Sequence, residues 1–372
     1  MASLRTIEIS GTSALDRGTQ YGQATADLIA DAIAYYARAF EHQSGLTWPE
    51  VLDLARPWQR LIADEFPGLF EEMTGIADGA SVSIAEIVTL NCRGEIVYDR
   101  GFGRTDPMDD VDGCTSFSLT GAAAGDGHVY CGQNWDWRHE VAHTVVILRI
   151  VQPPKPTVIM QVEAGQLGRH GANSAGLALN ANGLGGRFDD SVGIPQTVIR
   201  RLVLDSTSIS DALRVLVSTK AHIASNALLT HREGFSIDLE TTPGPIGWEY
   251  PSDGLLVHGN HYQAFVPAQL AATHRPMSPD SLLRVPRARQ GLAAAAAAEK
   301  PADVRSAVRT AMSDHLGYPD SLCAHADERL PEVMRWSTLL SSCVDLTTGE
   351  YYFAPGTPCE HPYELLPFNL YE

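Results

Sequence analysis

Apolar positions in the first hundred residues recur at helical spacing. Tyr21, Ala24, Leu28, Ala32, Tyr35 and Ala39 fall three or four apart, which predicts one face of a helix with Asp16 as its N-cap. Thr47 and Glu50 form a capping-box pattern, and Pro49 sits in the first turn, where its missing N–H costs nothing. Leu54, Trp58, Leu61 and Phe66 supply the expected buried face of that second helix, and Ser83 with Glu86 repeats the box before another apolar run. Between Arg100 and Gly113 the periodicity stops. Gly101, Gly103, Pro107, Asp109, Asp110 and Asp112 make a polar connection and an accessible place for a chain break.

Beyond Gly113 the pattern changes to short β-rich runs. Cys114–Thr120 and His128–Asn134 read as strands joined by a loop that ends in Gly125-Asp126-Gly127. Thr144–Val151, Thr157–Val162, Gly176–Asn180, Ala227–Thr230, Phe235–Leu239, Leu255–His258, Leu339–Leu346 and Tyr351–Ala354 read as further strands. Helical patterns at Ile194–Leu204, at Ser208–Val217 and after Pro301 lie between them. Blocks of strand and helix of this kind predict a layered α+β fold with helices over antiparallel sheets.

Composition narrows the function classes. Apolar residues make up 44% and charged residues 19% of 372 positions, a globular balance. The net charge of −18 repels phosphate backbones, which argues against a nucleic-acid role. Arg284, Arg287 and Arg289 form the compact basic cluster and read as a solvated helix edge. No run reaches the roughly 18 apolar residues of a membrane span, and the first residues lack the apolar core of a secretory signal. Six cysteines without a Cys-x-x-Cys pair are too sparse for a disulfide scaffold, so reduced thiols and a cytoplasmic location are expected. Paired Cys/His spacing is absent, so no metal is expected, and Cys323 shows no partner in the sequence. Gly183-x-Gly185-Gly186 reads as a loop and not a nucleotide fingerprint, so no cofactor is expected either.

The candidate chemistry lies at Asp112-Gly113-Cys114-Thr115-Ser116, with Gly132-Gln133-Asn134-Trp135-Asp136-Trp137 at a distance that a hairpin folds back. Taken singly, a cysteine on a strand is more often a small buried hydrophobe than a nucleophile. Here it follows a glycine, whose missing Cβ permits close thiol attack on the preceding carbonyl. A break between Gly113 and Cys114 would free an α-amine of pKa about 7.7–8.0, able to take the thiol proton. Asp136, between two tryptophans, would hold that amine; its alternative is a turn aspartate satisfying local donors.

Together these segments resemble the isopenicillin-N acyltransferase (acyl-coenzyme A:6-aminopenicillanic acid acyltransferase) family of cysteine N-terminal-nucleophile hydrolases. Gly168–Leu177, Val257-His258-Gly259-Asn260-His261-Tyr262, Ser313-Asp314-His315, Ser321-Leu322-Cys323 and Ser337-Thr338-Leu339 extend the resemblance over most of the chain. It implies a four-layer αββα sandwich. It also implies self-cleavage into residues 1–113 and 114–372, a helical segment and a catalytic segment that stay together as one domain. Carried over by position, Cys114 is the nucleophile released after Gly113, and Asp136 positions its amine. Asn260 is the oxyanion donor and Arg335 an active-site arginine, with Arg329 the competing assignment. Two positions depart from the pattern: Gly259 stands where threonine is frequent, and Gln133 replaces the arginine of the ceramidase and bile-salt-hydrolase relatives.

The expected activity is hydrolysis of a small N-acyl amide, peptide or β-lactam-type amide through a Cys114 acyl-enzyme. The alternative is N-acyl transfer with a coenzyme A thioester as co-substrate. A papain-like thiol peptidase or a non-catalytic binding scaffold are the readings from other classes. The expected partners are a small acyl amide and the chain's own cleaved N-terminal fragment.

Overall fold

The computed structural model describes residues 4–100, 113–186, 188, 191–272, 274–276 and 278–372. The expected polar connection through Gly101, Gly103, Pro107, Asp109, Asp110 and Asp112 lies outside the described residues. The chain begins with β1 (Arg5–Ser10), α1 (Ala14–Ser44), α2 (Trp48–Glu65), α3 (Pro67–Ala80) and α4 (Ile84–Arg100). It continues through β2 (Thr115–Leu119), β3 (Tyr130–Arg138), β4 (Val145–Val151), β5 (Val158–Glu163), β6 (His170–Asn173) and β7 (Leu177–Asn180). Next come α5 (Gln196–Leu204), α6 (Ile209–Ser218), β8 (Ser225–His231), β9 (Phe235–Thr241), β10 (Gly247–Glu249) and β11 (Leu255–His258). It closes with α7 (Ser281–Leu292), α8 (Pro301–Met312), β12 (Trp336–Asp345), β13 (Glu350–Pro355) and β14 (Glu364–Asn369). The strands form two sheets, so the class is α+β, as expected.

Two compact units emerge, the first from residues 1–110, 143–171 and 187–223, the second from 111–142, 172–186 and 224–372. In the first, β1 pairs in parallel with β4, which pairs antiparallel with β5. Helices α1 and α3 cross so closely that a Cβ on Gly18 or Gly22 would lie 2.0 or 2.2 Å from the carbonyl oxygens of Glu72 or Ile76. A Cβ on Gly75 or Gly79 would meet those of Leu15 or Thr19 at 2.1 and 2.4 Å. The N-cap of α1 is Ser13, whose hydroxyl accepts from the Asp16 N–H, and not Asp16 itself. Both expected capping boxes are present. The buried stripe of α2 is Val51, Ala55, Trp58 and Ile62, rotated from the expected one that shared only Trp58.

Within this unit Glu72 is buried between two arginines, accepting from Arg17 at 3.1 Å and from Arg201 at 2.6 Å. Glu163 likewise accepts from the Tyr36 hydroxyl at 2.7 Å and pairs with Arg93. Paired this way, buried charges are tolerated; left alone they would be costly.

The second unit holds a six-stranded sheet in the order β11-β2-β3-β12-β13-β14, and β7, β8, β9 and β10 pair in succession. Helices α7 and α8 cover the six-stranded sheet. Val285, Leu292, Val304 and Val308 meet Phe117 and Val257 in a core that water does not reach. Strands β2 and β3 are the expected hairpin, but β3 runs on to Arg138, so Asp136 lies inside a strand and not at its end. Strand β12 pairs with β3 along its length and carries a bulge between Thr338 and Leu340, opposite Asp136. No single described helix is long and apolar enough to cross a membrane.

Candidate active site

The register of β2, β3, β11 and β12 assembles the site. Cys114 precedes β2 and is fully buried, and its Sγ lies 3.6 Å from the Asp136 carbonyl oxygen. A Cβ on Gly113 would sit 3.1 Å from the Asp136 Oδ2, so the Gly113–Cys114 bond backs directly onto this carboxylate. Asp136 is buried, and its Oδ1 accepts from the Thr338 hydroxyl at 2.6 Å. That hydroxyl in turn accepts from the Ala324 N–H at 3.0 Å. The bulge at Thr338 aims this side chain at the carboxylate.

Arg284 ties the site together, although the sequence placed it on a solvated edge. It is buried in α7 at 1% exposure. Its Nη1 donates to the Cys114 carbonyl and to the Thr115 hydroxyl, both at 2.7 Å. Its Nη2 donates to Asn260 Oδ1 at 2.9 Å and to Ser278 at 3.1 Å, while Nε donates to Asp280 at 2.5 Å. Burial works against the cation, but Asp280 and Asp136 outweigh it and raise the guanidinium above its usual range. Arg335 does not join this group. It donates to the carbonyls of Leu330 and Glu328, and Arg329 pairs at the surface with Asp327. The arginine at Cys114 is Arg284.

Asn260 is buried in the turn after β11. Its backbone N–H donates to Ser281 Oγ at 2.7 Å, and its Nδ2 donates to the Gly183 carbonyl at 3.0 Å. Because Arg284 presents only N–H groups, the amide is fixed with Oδ1 toward the arginine and Nδ2 on the other edge. The absence of a side chain at Gly259 is explained locally: a Cβ there would lie 2.4 Å from Ser281 Oγ and 2.9 Å from Val285. Gln133 bonds both ways to the Ala181 backbone, and Asn182 Nδ2 donates to Ser116 and to the His258 carbonyl. The loop of Gly183 and Gly185 thus serves as a set of carbonyl acceptors, for Asn260 and for the Tyr262 hydroxyl.

One residue before Gly259, His258 is clamped between Glu240 at 2.9 Å and Asp238 at 3.3 Å. Burial pulls the imidazole down, but the two carboxylates outweigh it and raise it to about 9. Burial raises Asp238 to about 6 against the pull of His258. His261 contacts Ser281 Oγ and is lowered to about 4, by burial first and then by the charge of His258. Both histidines beside Asn260 are therefore engaged in holding its turn.

The sequence profile of the acyl-coenzyme A:6-aminopenicillanic acid acyltransferase family matches residues 123–358. The chain belongs to this family. It is 32% identical over 253 residues to the acyl-coenzyme A:6-aminopenicillanic-acid-acyltransferase 40 kDa form of Emericella nidulans. That match covers 66% of each chain, so it spans just under two thirds of the relative's length. Among solved structures, a variant of conjugated bile acid hydrolase from Clostridium perfringens is similar at a TM-score of 0.48 and 14% identity, over 70% of this chain and 94% of the other. Penicillin V acylase from Agrobacterium tumefaciens gives 0.41 and 18%, over 65% and 83%. At these scores neither adds to the assignment.

Proposed function

We propose that the protein is a self-processing cysteine amidohydrolase or acyltransferase, with Cys114 as nucleophile. The observation that carries this reading is the seat of the Gly113–Cys114 bond: against the Asp136 carboxylate, with the Cys114 carbonyl held by Arg284. Attack of Sγ on the Gly113 carbonyl would break the Gly113–Cys114 C–N bond, giving a thioester and freeing the Cys114 amine beside Asp136, a ready counter-charge; water would then hydrolyse the thioester to a Gly113 carboxylate and the free thiol. That amine then accepts the thiol proton during turnover. Sulfur attacks the substrate carbonyl, and the second Nδ2 hydrogen of Asn260 is the proposed donor to the developing oxyanion. The acyl-enzyme passes to water or to an amine.

Small N-acyl amides, peptides and β-lactam-type amides are the first choice of substrate. Acyl transfer from a coenzyme A thioester is the second, favoured by the name of the Emericella relative. A papain-like mechanism would need a histidine base, and the engagement of His258 and His261 with Glu240 and Ser281 speaks against these two.

Intact-mass analysis beside Cys114→Ala tests the processing step. The natural chain yields two fragments, the larger beginning at Cys114, and the variant yields one. A natural chain that stays whole while folded overturns the reading. A panel of N-acyl amides, each with and without coenzyme A thioesters, then separates hydrolysis from transfer.

A further inference from the structure

Around the Ala324 backbone that bonds to Thr338, the chain gathers four soft or borderline ligand atoms that the mechanism above does not use. His315 and His325 approach through their Nε2 atoms at 3.1 Å. The Cys359 Sγ lies 3.4 Å and the Cys323 Sγ 3.7 Å from the same His325 Nε2, and the two sulfurs are 3.5 Å apart. All four atoms lie within 4.8 Å of one another. A tetrahedron built from Zn–S bonds of about 2.3 Å and Zn–N bonds of about 2.0–2.1 Å has edges of roughly 3.3–3.8 Å. Of these four separations, 3.4, 3.5 and 3.7 Å fall in that range and 3.1 Å lies just below it.

We propose that His315, Cys323, His325 and Cys359 form a Cys2His2 site for one tetrahedral divalent cation of the zinc type. The ligand set is the one soft thiolates and imidazoles provide for zinc, and four protein ligands make a closed, structural site with no position for substrate. Binding forms two S–Zn and two N–Zn bonds, and the two thiol protons leave to solvent. The sequence argued against a metal because it shows no His-Glu-x-x-His and no paired Cys/His spacing. The fold supplies the missing ligand from a turn at 357–361, which Arg309 of α8 also holds through the Pro358 and His361 carbonyls. The other three ligands belong to a turn bonded within itself, Cys323 N–H to the Asp314 carbonyl at 3.0 Å and His325 N–H to the Pro319 carbonyl at 3.1 Å. A metal would staple the two turns together. Ala324, between two ligands, exchanges backbone and side-chain hydrogen bonds with Thr338, the partner of Asp136. The staple thus stiffens the mount of the candidate catalytic carboxylate.

Elemental analysis of the full chain, purified reduced and without chelator, should find about one zinc per chain. Cys359→Ser should lower zinc content at least tenfold under the same dialysis, and so should His315→Ala, whose exposed side chain makes it the variant least able to disturb folding. Chelator-stripped wild type loaded with Co(II) should show thiolate-to-cobalt charge transfer and the intense d–d bands of tetrahedral coordination. Reduced, folded wild type without stoichiometric zinc, a weak octahedral cobalt spectrum, or zinc content unchanged in both variants would overturn the proposal. So would a Cys323–Cys359 disulfide in the freshly isolated protein, seen as a mass lighter by two hydrogens. None of these readouts depends on Cys114 or on cleavage.

Discussion

At the scale of single residues the site turns on one buried guanidinium. Arg284 satisfies the Cys114 carbonyl, Asn260 Oδ1 and Asp280 at once. Replacing it by methionine strands those acceptors, and loss of one partner from a buried ion pair costs about 3–5 kcal/mol. Chemical denaturation of Arg284→Met should show a drop of that order, with cleavage at Gly113–Cys114 slowed or abolished. Asn260→Ala in the processed enzyme should lower kcat roughly 10²–10³-fold with KM little changed, as for loss of a single oxyanion donor; a KM effect alone would refute the assigned role. Cys114, Asp136 and Asn260 were nominated as candidates from the sequence because each stands in a dense local motif. Arg284 was not, since three arginines within six positions look like a wet surface. The signal it did carry was its place in the buried stripe Ser281, Arg284, Val285, Ala288 and Leu292 of α7. A charge inside an apolar stripe points to a partner that only the tertiary fold brings.

At the scale of elements, the crossing of α1 and α3 and the clamp between β9 and β11 are the testable features. Backbone oxygens occupy the space a Cβ would need at Gly75, so Gly75→Val must push the helices apart and should cost at least the ~1–3 kcal/mol of overpacking. Gly68 in α3 has nothing within 4 Å, and Gly68→Ala should leave stability unchanged or raised by about 0.5–1 kcal/mol. Thermal melts of the pair make the comparison. Helix α3 was not assigned from sequence because its glycines oppose helix propensity; only the close partner repays them. The capping boxes, by contrast, are local chemistry and were read directly. For the clamp, His258 rises from 6.5 to about 9 on folding. The group binds its proton more tightly when folded, so its stabilisation is full below 6.5 and disappears as pH rises through 9. Denaturant midpoints should therefore fall between these pH values, and the fall should shrink in His258→Gln.

At the scale of the whole molecule, the order of strands and helices after Cys114 was largely visible in the alternation of short runs. The two compact units were not, because each is stitched from three separate stretches and periodicity reports nothing about long-range pairing. The first unit straddles the proposed cut. Strand β1 lies beside β4 through six register pairs, and Glu72 meets Arg201 across the same division of the chain. A processed sample should therefore elute as a single species on gel filtration under native conditions and separate only in denaturant; early release of a free 1–113 piece would contradict this. The parallel pairing of β1 with β4 has one more consequence. The leading segment is a structural plank, so if the proposed cleavage occurs, both pieces should remain together as a permanent heterodimer written in one gene. Truncating the gene to begin at Cys114 would give the proposed nucleophile a free terminus but remove the strand that β4 leans on, whereas expressing both pieces as separate chains offers a route to rebuild it.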